Sequence, residues 1–310
     1  MTEIVSLFGV YLMIFLFGMT VMRLGLNTAS QHTFKKMLLK YTNTPWKGFL
    51  LGILITAIVQ SSSAVMVILV GLVAANLMSF RQSIGIILGT NIGTTITTEI
   101  ISFDLDQLIL PFVLVGALCI FIKGRAFFCT GCAVFGLGCM FLAMNGFESL
   151  ANPITSLSWI QHFLQMTNNH IFYGLGLGTA MTAIIQSSTA TTAIIMALMN
   201  ENILSLSSGI TILLGANIGT CVTALLASIG TIREAKFVAM AHIWVNLFGV
   251  AFFLPFLNLF SELINVLTYL PDVQIAHASV IFNVISSLLL LPCAGILASF
   301  ITKIHGRKVA

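Results

Sequence analysis

The chain has 310 residues, of which 58% are hydrophobic and only 7% are charged. This composition excludes a water-soluble fold, because too few polar residues are present to cover the surface of a soluble protein. The net charge of +4 does not indicate a nucleic-acid partner, since no basic patch interleaves with aromatic residues. An integral membrane protein is therefore expected.

Long apolar stretches without strand-like alternation predict that the spanning elements are helices, so the expected fold class is all-α. Residues 1–22 carry only Glu3 and no basic residue ahead of the apolar run, which argues against a cleaved signal peptide. Seven apolar segments are predicted to cross the membrane fully: residues 4–22, 83–100, 108–122, 126–147, 208–228, 236–260 and 279–302. The sequence therefore predicts a polytopic membrane protein.

Two further apolar regions, residues 48–79 and 174–200, are each interrupted near the middle by a polar cluster. Each is predicted to form a re-entrant hairpin, in which two half-helices meet inside the membrane and return to the same face. Residues 27–46 and 149–170 are predicted to lie along the membrane interface, with plain connecting loops as the alternative.

The distribution of charge predicts the orientation. If the first helix begins outside, every lysine and arginine falls in a predicted cytoplasmic segment, Arg23, Lys47 and Arg81 among them. Most acidic residues then fall on the opposite face. We expect a location in the cell (inner) membrane, with the N-terminus outside and the C-terminus in the cytoplasm. No basic side chain is expected within reach of the membrane midplane.

An internal repeat is the strongest pattern in the chain. The segment Thr56-Ala-Ile-Val-Gln-Ser-Ser-Ser-Ala64 matches Thr182-Ala-Ile-Ile-Gln-Ser-Ser-Thr-Ala190, and Leu88-Gly-Thr-Asn-Ile-Gly-Thr-Thr95 matches Leu214-Gly-Ala-Asn-Ile-Gly-Thr-Cys221, both at an offset of 126 residues. An odd number of predicted crossings separates the hairpins, so the second copy should be inverted. The predicted units are residues 1–125, the first inverted repeat, and residues 126–310, the second inverted repeat with an additional C-terminal helix.

The repeated motifs are predicted to meet near the membrane midplane. From Gly48 to Gln60 the chain has about 12 residues, or roughly 18 Å of helix, and this reaches the middle of a core about 30 Å thick. Ser62 or Ser63 is expected to N-cap the returning half-helix, as Ser188 or Thr189 is in the second copy. Such a terminus offers free N–H groups and a positive dipole end that bind an anion without Lys or Arg.

The predicted ligands fall into two overlapping sets. The anion is expected to bind Gln60, Ser61, Ser62, Ser63, Gln186, Ser187, Ser188, Thr189, Asn91 and Asn217. Amide, hydroxyl and carbonyl oxygens suit a hard cation such as sodium. Its predicted ligands are Gln60, Ser63, Gln186, Thr189, Asn91, Thr94, Thr95, Asn217 and Thr220.

A different role remains open for the asparagine motifs. The Asn-Ile-Gly-Thr motifs could instead be packing surfaces whose glycines permit close helix approach. Catalysis is not expected, because the motifs contain no carboxylate pair, Ser-His-Asp set or metal cluster.

At these motifs the chain resembles the sodium–phosphate cotransporter family, which comprises the type II cotransporters and their bacterial relatives. That family is marked by two Gln-Ser-Ser hairpins, each followed by an Asn-Ile-Gly-Thr segment, and the likeness runs from about residue 5 to residue 303. The resemblance implies that the anion is inorganic phosphate, that sodium is co-transported, and that no organic cofactor is needed. It also implies that residues 60–63 and 186–189 line the phosphate and sodium sites.

A later family pattern, Ala-x-x-His-x-x-x-Asn, is matched by Ala239, His242 and Asn246. Its second copy keeps Ala276 and Asn283 but departs at Ser279, which stands where His is usual, with His277 nearby. His242 is expected to make a helix-packing hydrogen bond, with titration or ligand contact as the alternative. Many bacterial relatives append a regulatory domain, so a separate regulatory protein is an expected partner, and a homo-oligomer is left open.

The sequence therefore predicts a secondary active transporter in the lipid bilayer that couples sodium to the movement of inorganic phosphate. The alternative is an anion channel, or a carrier for a related oxyanion, without sodium coupling. Saturable, sodium-dependent uptake would favour the coupled carrier.

Overall fold

The structure is a computed structural model that describes residues 2–30, 37–38, 42 and 44–306. Across those ranges the regular secondary structure is helical and contains no β-strand, which confirms the all-α class. Within the described part of the chain, six helical segments are long and apolar enough to cross a membrane: Glu3–Ala29, Phe80–Ile101, Arg125–Thr155, Leu206–Ser228, Arg233–Leu267 and Pro271–Leu290. The chain is a multi-pass membrane protein.

The α-helices of the described residues are numbered here in chain order. They are α1 (Thr2–Ser30), α2 (Pro45–Val59), α3 (Ser62–Ala74), α4 (Phe80–Ile101), α5 (Ile109–Phe121), α6 (Arg125–Thr155), α7 (Ser158–Asn169), α8 (Ile171–Ile185), α9 (Ser188–Asn200), α10 (Leu206–Gly219), α11 (Cys221–Ser228), α12 (Arg233–Phe253), α13 (Leu257–Leu267), α14 (Pro271–Leu290) and α15 (Ala294–His305). Short 3₁₀ turns precede α5 and separate α12 from α13.

Helix α1 packs along α6, and α5 covers another side of α6. The α1 and α6 backbones approach closely at glycines, since a Cβ added at Gly18 would lie 2.6 Å from the carbonyl oxygen of Gly136. Small residues of this kind allow helices to associate without a hydrophobic driving force between them. Large apolar side chains point outward instead, and Phe121 on α5 is 86% exposed. Lipid is the solvent that suits such a surface.

Both predicted hairpin regions are broken in the middle, as expected. Helices α2 and α3 form the first pair, called hairpin 1, and α8 and α9 form the second, called hairpin 2. The helices contain 13 to 15 residues, which gives lengths of about 20–22 Å, shorter than a hydrocarbon core of about 30 Å. The inverted orientation of the two halves remains a prediction.

Each hairpin packs its first half-helix against the helix that carries the asparagine motif. Helix α2 lies on α4, and α8 lies on α10. A Cβ added at Gly93 would meet the Cβ of Thr56 at 2.6 Å, and one at Gly219 would meet the Cβ of Thr182 at 2.7 Å. The motif glycines therefore do serve close packing, and the same contact recurs 126 residues apart.

The last predicted crossing, residues 279–302, is wrong as a single helix. The chain forms α14 from Pro271 to Leu290 and a separate α15 from Ala294 to His305. Pro292 lies in the break, and proline both lacks an N–H donor and clashes with the preceding turn of a helix. The predicted crossing 108–122 corresponds to the 13-residue α5, which is about 20 Å long and falls short of a full span.

The predicted interfacial segments differ in outcome. For the segment 149–170 the prediction is wrong over residues 149–155, which continue α6, whereas residues 158–169 form the amphipathic helix α7, so a plain loop is wrong there. Half of the segment 27–46, including Lys35, Lys36 and Lys40, lies outside the described residues, as do Arg307 and Lys308.

Candidate functional site

The tips of the two hairpins have the same backbone conformation. Gln60 ends α2 at φ 56° and ψ 29°, and Gln186 ends α8 at φ 60° and ψ 24°. These are left-handed conformations, which residues other than glycine adopt at a cost, and which cluster at functional sites. Each tip thus turns the chain sharply at its repeated glutamine.

The serine after each glutamine caps the returning half-helix. Ser61 accepts a hydrogen bond from the backbone N–H of Ala64 at 3.1 Å, and Ser187 accepts one from Ala190 at 3.2 Å. The predicted caps at Ser62 or Ser63, and at Ser188 or Thr189, are therefore wrong by one or two residues. The reason is that the left-handed glutamine already ends the first helix, so the next residue takes the extended cap conformation.

The first N–H groups of α3 and α9 remain available for a ligand. The backbone N–H groups of Ser62, Ser63, Ser188 and Thr189 have no hydrogen-bond acceptor within the described part of the chain. They lie at the positive ends of two helix dipoles, where the first turn always lacks intrahelical partners. Two such termini at one place suit an anion.

Two threonines hold the glutamine side chains. Thr223 Oγ1 donates to Gln186 Oε1 at 2.7 Å, and Thr97 Oγ1 donates to Gln60 Oε1. The amide nitrogens of the glutamines in turn donate to Ala183 O and Ala57 O. Thr97 and Thr223 were not among the predicted site residues. Their identical 126-residue offset was the signal that could have found them.

Helix α1 contacts both tips. Ser187 Oγ donates to Met19 Sδ at 3.7 Å, and one turn further along α1 the Nε of Arg23 donates to Gln60 O at 2.8 Å. The expectation that no basic side chain reaches the motifs is therefore wrong for Arg23. Charge counting placed Arg23 in a cytoplasmic segment because α1 was predicted to end at residue 22, whereas it continues to Ser30.

The two tips differ in their surroundings. Gln60 is 5% exposed and its carbonyl oxygen is bonded to Arg23, whereas Gln186 is exposed. Thr223 connects the two tips. Its hydroxyl oxygen accepts a hydrogen bond from Ser63 Oγ of hairpin 1 at 3.5 Å, and its hydroxyl donates to Gln186 Oε1 of hairpin 2. The glutamine of hairpin 1 is thus covered in this conformation, whereas the glutamine of hairpin 2 is exposed.

A small polar cavity of about 20 Å³ lies beside the tips. Its lining consists of Ser62, Asn91, Thr94, Thr95, Thr98, Ser188, Thr192, Leu213, Asn217, Thr220, Ser279 and Asn283. The predicted residues that do not line it are Gln60, Ser61, Ser63, Gln186, Ser187 and Thr189. A volume of this size admits a water-sized particle.

The asparagine of the first motif, Asn91, is held by a residue of α12. Asn91 Nδ2 donates to Asn246 Oδ1 at 3.0 Å, and Asn246 Nδ2 donates to His242 O at 3.0 Å. The ring nitrogens of His242 are buried and have no partner among the described residues, so the predicted helix-packing hydrogen bond of His242 is wrong. His277 Nδ1 lies 3.1 Å from Glu99 Oε1, away from the cavity lining.

Two broken helix pairs whose polar tips meet beside one cavity in a multi-pass membrane protein are typical of secondary transporters. The profile of the Na+/Pi-cotransporter family matches residues 14–149 and 155–271. The chain belongs to this family, a family of transporters.

Individual relatives differ in how much they share with the chain. The chain is 40% identical to the uncharacterized protein YqeW of Bacillus subtilis over 286 residues, which cover 92% of the chain and 93% of YqeW. It is 27% identical over 260 residues, 83% of the chain, to YjbB of Salmonella typhimurium, which is named as a candidate inorganic phosphate export protein. The alignment covers 48% of YjbB, so the chain matches about half of that relative.

A shorter match reaches human sodium-dependent phosphate transport protein 2B, with 43% identity over 60 residues, 19% of the chain and 9% of that protein. No solved structure matches the chain.

Proposed function

We propose that the protein is a secondary active transporter that moves inorganic phosphate across the cell membrane together with sodium, with its N-terminus outside and its C-terminus in the cytoplasm. The observation that carries the proposal is the pair of hairpin tips with matching left-handed glutamines and serine caps. Family membership supports phosphate as the cargo.

Phosphate would bind where the two N-termini converge. The free N–H groups of Ser62 and Ser63 on α3, and of Ser188 and Thr189 on α9, supply donors without a buried lysine. The hydroxyls of Ser62, Ser188 and Thr189 add further donors. Such a set holds a tetrahedral oxyanion through several oxygens at once, as expected for recognition by backbone groups and short polar side chains.

Charge balance supports coupling to a cation. Each helix terminus contributes about half a unit of positive charge, and phosphate carries one or two negative charges. The guanidinium of Arg23 donates to the carbonyl oxygen of Gln60 at the C-terminal end of α2. Burying an anion that is not fully neutralised costs free energy, so a co-bound sodium ion favours binding.

The conformation supports alternating access. The glutamine of one tip is covered, whereas the glutamine of the other is exposed. A shift of one hairpin against the other would exchange these environments and change the accessible side.

The test is uptake of radiolabelled phosphate into proteoliposomes that contain the purified chain. Saturable uptake that requires an inward sodium gradient, and that reverses when the gradient is reversed, is the expected result. Large sodium-independent phosphate currents would support an anion channel instead. Sulfate and arsenate as competitors would define the oxyanion, and empty liposomes are the control.

A further inference from the structure

We propose that a groove between α4 and α14, on the surface of the membrane-spanning part, binds one phospholipid with an amine-bearing headgroup of the phosphatidylethanolamine type. The assignment rests on one charged pair in the groove and on the aliphatic side chains beside it. It rests on the proposed function only for the side of the membrane, because the proposed orientation places this end of both helices outside.

The groove has a volume of about 580 Å³, and every described residue that lines it belongs to α4 or α14. Its apolar part consists of Ile92, Ile96, Ile100, Val280 and Ile281. Ile96 is 39% exposed. On helices that cross a membrane, an exposed aliphatic surface of this kind faces hydrocarbon. The apolar part of the groove therefore fits a lipid acyl chain.

Glu99 and His277 meet at the same groove. His277 Nδ1 lies 3.1 Å from Glu99 Oε1, and the two side chains are 37% exposed for His277 and 30% exposed for Glu99. No lysine or arginine of the described residues lies within 4 Å of Glu99. An ionisable side chain in an apolar helix is costly unless it is paired, and it commonly marks a functional site. Glu99 thus faces the membrane without a fixed cation to neutralise it.

The polar and apolar parts of the groove lie in the order of a lipid molecule. The two helices are antiparallel here, because Ser287 Oγ donates to Leu88 O at 2.9 Å while His277 meets Glu99. Glu99 lies near the end of α4 at Ile101, and His277 lies in the second turn of α14. Ile92 is deeper on α4 by roughly 10 Å, and one leaflet of the hydrocarbon core is about 15 Å thick. The charged pair is thus at headgroup level, with the aliphatic side chains at acyl-chain level.

The charge of the pair selects the headgroup. The carboxylate of Glu99 is negative and His277 is neutral or singly positive, so the pair has no net positive charge and does not favour an anionic lipid. Glu99 Oε2 has no hydrogen-bond partner among the described residues and is able to accept one from an ammonium group. His277 Nε2 accepts from the ammonium group when the ring is neutral, and donates to the lipid phosphate when it is protonated.

The experiment is native mass spectrometry of the purified full-length chain in detergent. The chain is incubated with equal amounts of phosphatidylethanolamine, phosphatidylglycerol and phosphatidylcholine that have the same acyl chains. We expect the parent chain to retain phosphatidylethanolamine about tenfold over either competitor, as for one hydrogen bond to a charged group. Phosphatidylglycerol has no amine, and the quaternary ammonium of phosphatidylcholine has no N–H donor.

Two variants and one control complete the test. Glu99→Gln removes the charge and should abolish the preference, whereas Glu262→Gln removes the same charge from an exposed position on α13 and should bind like the parent chain. Ile96→Trp fills the apolar part and leaves the charged pair in place, so it should lower retention of all three lipids even if Glu99→Gln does not fold.

Equal retention of the three lipids by the parent chain would overturn the proposed lipid site. A preference that survives in Glu99→Gln, or retention that is unchanged in Ile96→Trp, would overturn it as well. Selective retention of phosphatidylethanolamine by a chain that transports no phosphate would sustain this site while removing the proposed function.

Discussion

Arg23 Nε donates a 2.8 Å hydrogen bond to the carbonyl oxygen of Gln60, which places a guanidinium at the C-terminal end of α2. That end carries unsatisfied carbonyl groups and the negative end of the helix dipole, where a cation is favourable. Among the described residues Arg23 has no carboxylate within ion-pair distance. The contact joins the first helix of the chain to the first hairpin tip.

Arg23→Gln should therefore loosen hairpin 1. A hydrogen bond from a charged group contributes about 1.5–3 kcal/mol, so we expect phosphate uptake to fall by about tenfold and the thermal midpoint in detergent to drop. Arg81→Gln, which removes the same charge from an exposed position on α4, is the control. Equal effects of the two substitutions would show that only net charge matters.

The threonine contacts to the glutamines predict a second effect. Thr97→Val and Thr223→Val keep the side-chain volume but release the oxygen of Gln60 or Gln186. Each should weaken phosphate affinity about fivefold, equivalent to about 1 kcal/mol for one hydrogen bond. Thr20→Val, at an exposed threonine that bonds only within α1, should have no effect on phosphate affinity. Binding of labelled phosphate to the detergent-solubilised chain measures all three.

The motif glycines predict a packing effect. Gly93→Ala and Gly219→Ala place a methyl group within 2.7 Å of the Cβ of a threonine on the facing half-helix. We expect a loss of stability of about 1–3 kcal/mol, typical of overpacking. Gly71→Ala on α3 meets nothing within 4 Å and should be tolerated or slightly stabilising. Thermal unfolding compares them; tolerance at Gly93 and Gly219 would mean that α2 and α8 do not pack as described.

The predicted orientation can be tested by cysteine labelling. All six native cysteines are first replaced, because Cys293 is exposed and would itself react. In that background Lys47→Cys should react with a membrane-impermeant reagent only from the cytoplasm. Tyr269, which is 85% exposed, lies in the connection between α13 and α14, and Tyr269→Cys should react only from outside. Reaction of both positions from one face would reject the proposed topology.

Coupling of the two ions predicts reciprocal affinities. Sodium should raise the affinity for phosphate, and phosphate should raise the affinity for sodium by the same factor, because linkage is reciprocal. Phosphate binding is measured at varied sodium, with potassium keeping the ionic strength fixed. Gln60→Ala and Gln186→Ala should weaken the dependence, whereas Ser286→Ala should leave it intact. A phosphate affinity that is independent of sodium would reject coupling.

Much of the fold could be predicted because it follows from composition and from the repeat. Long apolar runs identified most helices, and the polar clusters at Gln60 and Gln186 located the breaks in both hairpins. The break at Pro292 was missed, since the apolar pattern continues on both sides of it. Hydrophobicity reports membrane burial but carries little information about where a backbone hydrogen bond is lost.

The site was predicted less completely, for two physical reasons. Residues with a partner in the other half of the chain, such as Asn91 and Asn217, stand out by their spacing. Arg23 has no counterpart of the same type 126 residues away, so only its three-dimensional contact reveals it. Thr98 and Thr192 line the cavity without a repeat signal for the same reason.

The unequal burial of Gln60 and Gln186 has a consequence for the transport cycle. Under the proposed inverted arrangement, hairpin 2 displays the surroundings that hairpin 1 acquires when the protein faces the other way, and the reverse holds for hairpin 1. The opposite-facing state is then the present one with the two environments exchanged. To reach the opposite-facing state, the hydrogen bond between Arg23 and Gln60 would have to break once in every transport cycle. The strength of this one contact would then help to set how long the protein stays in the present conformation.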